Sequence, residues 1–239
     1  MLGCCLLLWI CGCAMPSSML FSRVNRQNSP HARTEKNSLP REERANICLQ
    51  TGLNLAANQK DDHAIAQMAK ARELNPQLKG VAHPLAVLYD RQGRFGLAEK
   101  AYQSALQEEE SNADLLNDFG YFRYSQGRFA EARTLLSEAR KLNPEHSQAT
   151  TNLAMVLAAE GDFETAYDLF SQAVGPAAAH QNIGLLMLRS GREDEAIAHL
   201  ETACHEDPSL ETAQTVLVGY SGNENAARAI RTVGYRRPE

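Results

Sequence analysis

The chain has 239 residues, 44% of them apolar and 22% charged, with a net charge of −5. Residues 23–44 hold six Lys/Arg against three Glu, so the remainder is more acidic than the whole. Such a surface lacks the basic stripe that neutralises phosphates, which argues against DNA and RNA as partners.

The first element is apolar. Met1 to Met15 contains Leu2, Leu6, Leu7, Leu8, Trp9 and Ile10 without a charge. A run of this length matches a signal-peptide core and falls short of the ~20 residues a spanning helix needs. Its end, Ile10-Cys11-Gly12-Cys13, resembles a bacterial lipobox. That resemblance implies lipidation of Cys13, residues 1–13 as signal and anchor, and an outer-membrane protein facing the periplasm. An uncleaved anchor, or palmitoylation of the early cysteines in a eukaryote, would also tether the chain to a membrane. Residues 14–43 are expected to form a flexible linker: Pro16, Pro30 and Pro40 interrupt any helical period and apolar residues are few.

From residue 45 the chain repeats, and internal repetition outranks local signals. Asn75-Pro76, Asn143-Pro144 and Asp207-Pro208 fix blocks at 45–78, 79–112, 113–146, 147–176 and 177–208. The eighth positions read Gly52, Ala86, Gly120, Ala154 and Gly184. The twentieth read Ala64, Ala98, Ala132, Ala166 and Ala196, and the twenty-seventh Ala71, Ala105, Ala139, Ala173 and Ala203. Small residues at fixed positions let two antiparallel helices approach closely, while Met68, Tyr102, Leu136, Phe170 and Leu200 fill the space between such contacts. Gly93, Gly127, Gly161 and Gly191 are expected at the turn within each hairpin, with Asn58-Gln59 serving in the first block. Pro76, Pro144 and Pro208 end second helices. The second block has Glu110 in place of proline, leaving Ser111 or Asn112 to cap the next helix. The fourth block is four residues short, Val174-Gly175-Pro176 leading straight into the fifth. Residues 209–239 read as a capping helical pair (209–219 and 223–233) with a polar tail.

Across residues 45–220 these positions resemble the tetratricopeptide-repeat (TPR) family. The resemblance implies an all-α superhelical solenoid of about five helix-turn-helix repeats with a C-terminal capping pair. Leu115-Leu116-Asn117-Asp118-Phe119-Gly120-Tyr121 with Gln126-Gly127-Arg128-Phe129 also resembles the lipoprotein pilotins of type IV pili. The shortened fourth block running into Ala179-His180-Gln181-Asn182-Ile183-Gly184 resembles the lipoprotein of tight-adherence pilus assembly. Both imply a lipoprotein that helps a secretin or pilus machine assemble.

In this family the second, fifth, sixth, ninth and twelfth positions of the first helix line an inner groove. The sixth position reads Asp118, Asn152 and Asn182 in blocks three to five, which resembles the asparagine ladder that grips an extended peptide. An amide suits that task because it donates and accepts at once. Asn117, Tyr121, Tyr124, Thr151, Met155, Gln181, Leu185 and Leu188 lie beside it, offering polar anchors among apolar walls. The other reading is that these amides serve contacts between helices.

Catalytic signals are missing. The sequence has no phosphate-binding Gly loop, zinc-protease helix or paired-Cys motif. Gly219-Tyr220-Ser221-Gly222 has neither the spacing nor the preceding strand of a nucleophile elbow. His63, His83, His146, His180, His199 and His205 scatter over different blocks and read as solvated residues, so no metal or cofactor is expected. Cys48 and Cys204 fall in the first and fifth blocks, too far apart for a disulfide. The expected function is a membrane-anchored, non-catalytic scaffold for a protein or peptide partner, without nucleic acid or small-molecule substrate. The alternative is an accessory subunit that positions a peptidoglycan enzyme.

Overall fold

The computed structural model describes residues 39–222. The lipidation site Cys13, most of the expected linker and the second capping helix lie outside the described residues.

Among the described residues there are eleven α-helices and no strand. The first helices of the five blocks are α1 (Arg41–Ala57), α3 (Ala82–Arg91), α5 (Ala113–Ser125), α7 (Ser147–Ala159) and α9 (Pro176–Arg189). The second helices are α2 (Asp61–Leu74), α4 (Phe95–Glu108), α6 (Phe129–Leu142), α8 (Phe163–Val174) and α10 (Glu193–Glu206). A final helix, α11 (Glu211–Gly222), follows. Each first helix packs against the second helix of its own block, and the next first helix docks on the pair.

Two boundaries differ from the sequence reading. α1 starts at Arg41, within the expected linker, because Pro40 ends the preceding chain and Glu42 and Glu43 favour a helix N-terminus. α3 starts at Ala82, three residues after its block begins, because Gly80 takes a positive φ of 78°.

The small-residue columns have a direct steric cause. A Cβ on Gly120 would lie 2.6 Å from Leu136 Cγ and 3.4 Å from the carbonyl oxygen of Ala132. On Gly184 it would meet Leu200 Cγ at 2.8 Å and the Ala196 oxygen at 3.0 Å. The eighth position therefore faces the twentieth, and all five twentieth-position alanines are fully buried. Of the twenty-seventh-position alanines only Ala173, in the shortened block, is left half-buried.

Helix ends repeat one chemistry. The five hairpin turns close by the same bond, for example Arg94 N–H to Tyr89 C=O at 2.8 Å and Asp162 N–H to Leu157 C=O at 2.9 Å. The turn residue has a positive φ in each, and in block one Gln59 rather than Asn58 adopts it, at 56°. Asn112 caps α5, its Oδ1 accepting from Leu115 N–H at 3.0 Å, which supplies what the missing proline of block two does not. Asn75, Asn143 and Asp207 each accept a backbone N–H two residues on and so fix the joints before α3, α7 and α11.

The buried core changes character along the stack. Block one with the start of block two forms one cluster, around Met68 and Leu85, and block two with α5 forms another, around Tyr102 and Phe119. From Ala154 in α7 to Val216 in α11 a single cluster runs unbroken. A lone Gly175 joins α8 to α9, whereas residues 75–81 join α2 to α3.

Candidate protein-binding groove

The first helices stand side by side, and polar side chains link them. Position five of one block meets position six of the next. His83 Nε2 on α3 lies 2.9 Å from Asp118 Oδ2 on α5. Asn152 Nδ2 on α7 donates to Asn117 Oδ1 on α5 at 2.9 Å, and Asn117 Nδ2 donates to Asp118 Oδ1 at 3.3 Å. His83, Asp118, Asn117 and Asn152 thus form one hydrogen-bonded chain across three blocks.

This arrangement divides the residues named from sequence. Asn117 and Asn152 are 2% and 3% exposed and Met155 is in the core, so these three form the floor of the groove and face no solvent. Their burial corrects the expectation that the asparagines reach a partner directly: a buried amide must pair, and these pair with each other. Thr151 and Leu188 are buried as well. Gln181 uses its Oε1 to accept from Ala213 N–H of α11 at 3.2 Å. Asp118, Tyr121, Tyr124, Gln181, Asn182 and Leu185 remain partly exposed and form the accessible row.

The aromatic part of that row is ordered by packing. The Tyr121 and Tyr124 rings lie 6.1 Å apart, and Tyr124 sits 5.8 Å from Phe129. Both tyrosines rest on the continuous core cluster, beside Leu185. Burial pushes the Tyr124 phenol above its usual range, with Arg189 opposing the shift, so the group stays a neutral donor at physiological pH.

Four polar residues escaped the sequence reading. Arg123, at a position where other blocks have Leu55, Tyr89, Leu157 and Met187, has a 5% exposed side chain that reaches Glu99 at 2.9 Å and Glu131 at 3.4 Å. Its guanidinium lies 4.4 Å from the centre of the Phe119 ring, a cation–π contact. His83 belongs to the polar chain, and His180 meets His199. These histidines are part-buried, as is His146, which caps α7; only His63 and His205 are exposed as expected. Burial, and then the neighbouring His180, hold His199 below the usual imidazole range. A break in an otherwise apolar column was the available signal for Arg123. Among the described residues no group of three His, Cys, Asp or Glu is placed to hold a metal ion.

Fold and site together define a helical-hairpin solenoid that presents a row of polar and aromatic side chains on its first helices. Two stretches of the chain match tetratricopeptide-repeat models: one described as "Tetratricopeptide repeat" matches residues 117–181, and one for YpiA-like C-terminal tetratricopeptide repeats matches residues 81–146. Over 118 residues, 48% of the chain, it is 33% identical to the type IV pilus assembly protein PilF of Pseudomonas aeruginosa, spanning 47% of that protein. It is also 33% identical over 114 residues, 45% of the chain, to the TPR repeat-containing thioredoxin TTL4 of Arabidopsis thaliana, covering 17% of that protein. The chain therefore spans half or less of these curated relatives. A solved structure of Pseudomonas aeruginosa PilF superposes with a TM-score of 0.58 over 81% of this chain and 99% of that one, at 21% identity. YrrB, described as a TPR protein with an unusual peptide-binding site, superposes with a TM-score of 0.59 over 79% of this chain and 97% of its own, also at 21% identity.

Proposed function

We propose that the chain is a membrane-anchored, non-catalytic scaffold that holds a partner protein or peptide against its first helices during assembly of a pilus or secretin. The accessible row carries this reading: Asp118, Tyr121, Tyr124, Gln181, Asn182 and Leu185 offer hydrogen-bonding edges beside apolar surface. The polar chain beneath holds that row in register, so little side-chain order is lost on binding. PilF, by its name, serves type IV pilus assembly, which favours a pilus machine as the setting. The match covers only 17% of TTL4, so nothing of that protein's thioredoxin character is assigned to this chain. Lipidation at Cys13 would place the scaffold at the outer membrane, facing the periplasm. Intact-mass analysis tests it: loss of residues 1–12 with added acyl mass is expected, and a soluble product retaining Met1 refutes it.

The groove is tested with Asn182→Ala/Leu185→Ala, which alters the accessible row and leaves the floor intact. Pull-downs from envelope extract should recover the pilus or secretin partner at least tenfold less well with this variant, the effect of losing about 1.4 kcal/mol. Glu138→Ala, on the exposed side of α6, should recover it normally. Equal recovery by a folded double variant refutes the groove as the binding face.

A further inference from the structure

We propose that His180 and His199 form a two-imidazole site for a borderline divalent transition cation such as Zn²⁺ or Ni²⁺. His180 is the fourth residue of the fifth block and His199 the twenty-third. The matching pairs in the earlier blocks are Cys48 and Gln67, Ala82 and Ala101, Leu116 and Leu135, and Thr150 and Leu169. In block three that pair packs as two leucines within one apolar cluster. Two of those pairs are wholly apolar and none pairs two polar residues, whereas here both positions carry imidazoles that need partners.

The geometry points to a shared ligand. His180 Nδ1 on α9 and His199 Nδ1 on α10 face each other at 2.9 Å. Two nitrogens bound at ~2.05 Å to one cation stand about 2.9 Å apart at a right angle and about 3.3 Å apart at the tetrahedral angle. The observed spacing therefore matches two ligands of one cation, and binding requires both rings to turn so that their Nδ1 lone pairs converge on it. Imidazole nitrogen suits Zn²⁺, Ni²⁺ and Cu²⁺ and not the harder Mg²⁺ or Ca²⁺. In the metal-free pair one ring donates its Nδ1 proton to the other. On binding, that ring carries its proton on Nε2 instead, both Nδ1 lone pairs go to the cation, and no net proton is released.

Neighbouring groups fix the surroundings. The Tyr167 ring of α8 lies 4.7 Å from the His180 ring and limits its rotation. Glu195, one turn before His199 on α10, is held by Arg192, whose Nε donates to it at 2.7 Å. Water therefore completes the coordination. The bound cation would clamp α9 to α10 and stabilise the fifth hairpin by mass action.

The test uses the metal-stripped full chain, titrated with Ni²⁺ and with Zn²⁺ near neutral pH in a non-coordinating buffer. Calorimetry should show one equivalent bound, with a matching, saturable rise in the thermal midpoint. His180→Ala and His199→Ala should each weaken binding at least tenfold. The double variant His180→Leu/His199→Leu, which reproduces the leucine pair of block three and so keeps the hairpin packed, should abolish it. His205→Ala, at an exposed histidine, should bind like the wild type. The proposal is overturned if the wild-type chain shows no saturable binding, or if the leucine double variant binds as the wild type does.

Discussion

Replacing Asn152 with Ala separates a structural role for the asparagine chain from a ligand-binding one. Asn117 and Asn152 are 2% and 3% exposed, and their 2.9 Å bond joins α5 to α7. Deleting the Asn152 amide leaves the Asn117 carbonyl oxygen buried without its donor, which costs about 1–3 kcal/mol. For a domain of this size each kcal/mol lowers the midpoint by about 2–4 °C. Asn117→Ala should cost a similar amount, and the double variant less than the sum, with a coupling of about 0.5–3 kcal/mol. Thermal and urea denaturation of the four proteins measures this. Partner binding, scored on folded protein, should change far less than for substitutions in the accessible row. If Asn152→Ala melts like the wild type yet loses its partner, the amide serves the ligand and the strut reading fails.

Two further outcomes follow from packing and charge. Ala132 is fully buried with its carbonyl against Gly120, so Ala132→Leu should destabilise by about 1–3 kcal/mol; an unchanged midpoint would contradict the hairpin register. The Arg123 hydrogen bond, with help from Arg128, holds the Glu99 carboxyl below its usual range. A depressed folded value means stability present above the unfolded value of about 4.5 and lost as pH falls through the folded one. Glu99→Gln should therefore be less stable than wild type at neutral pH, with the gap closing as pH falls through the lowered folded value. A gap constant from neutral to acid pH would show that Glu99 does not act through its charge.

The hairpin architecture was readable because its cause is local and recurs. A Gly or Ala at positions eight and twenty reports a backbone approach that any larger residue would block, and Gly120 facing Ala132 shows that approach. Helix caps were readable for the same reason, Asn112 among them. The direction of the asparagines was not. Alignment puts Asp118, Asn152 and Asn182 in one column and suggests one outward-facing file. In space the partners are 35 residues apart, His83 with Asp118 and Asn117 with Asn152, so each bond crosses from the fifth column to the sixth. The offset between neighbouring helices decides this, and no single repeat encodes it. His180 and His199 are 19 residues apart, at the fourth and twenty-third positions of their block, a separation with no ligand spacing to notice. Arg41, by contrast, was misplaced in the linker although the acidic Glu42 and Glu43 marked a helix start.

The joints between the five hairpins shorten along the solenoid. Residues 75–81 form a longer joint between the first and second hairpins, held by the Asn75 side chain, and the cluster around Met68 and Leu85 reaches across it. Gly175 leaves almost no slack between the fourth and fifth, which share a cluster reaching to α11. That short joint and shared cluster couple the last hairpins tightly. Under load the segment from α7 to α11 transmits force as a single lever.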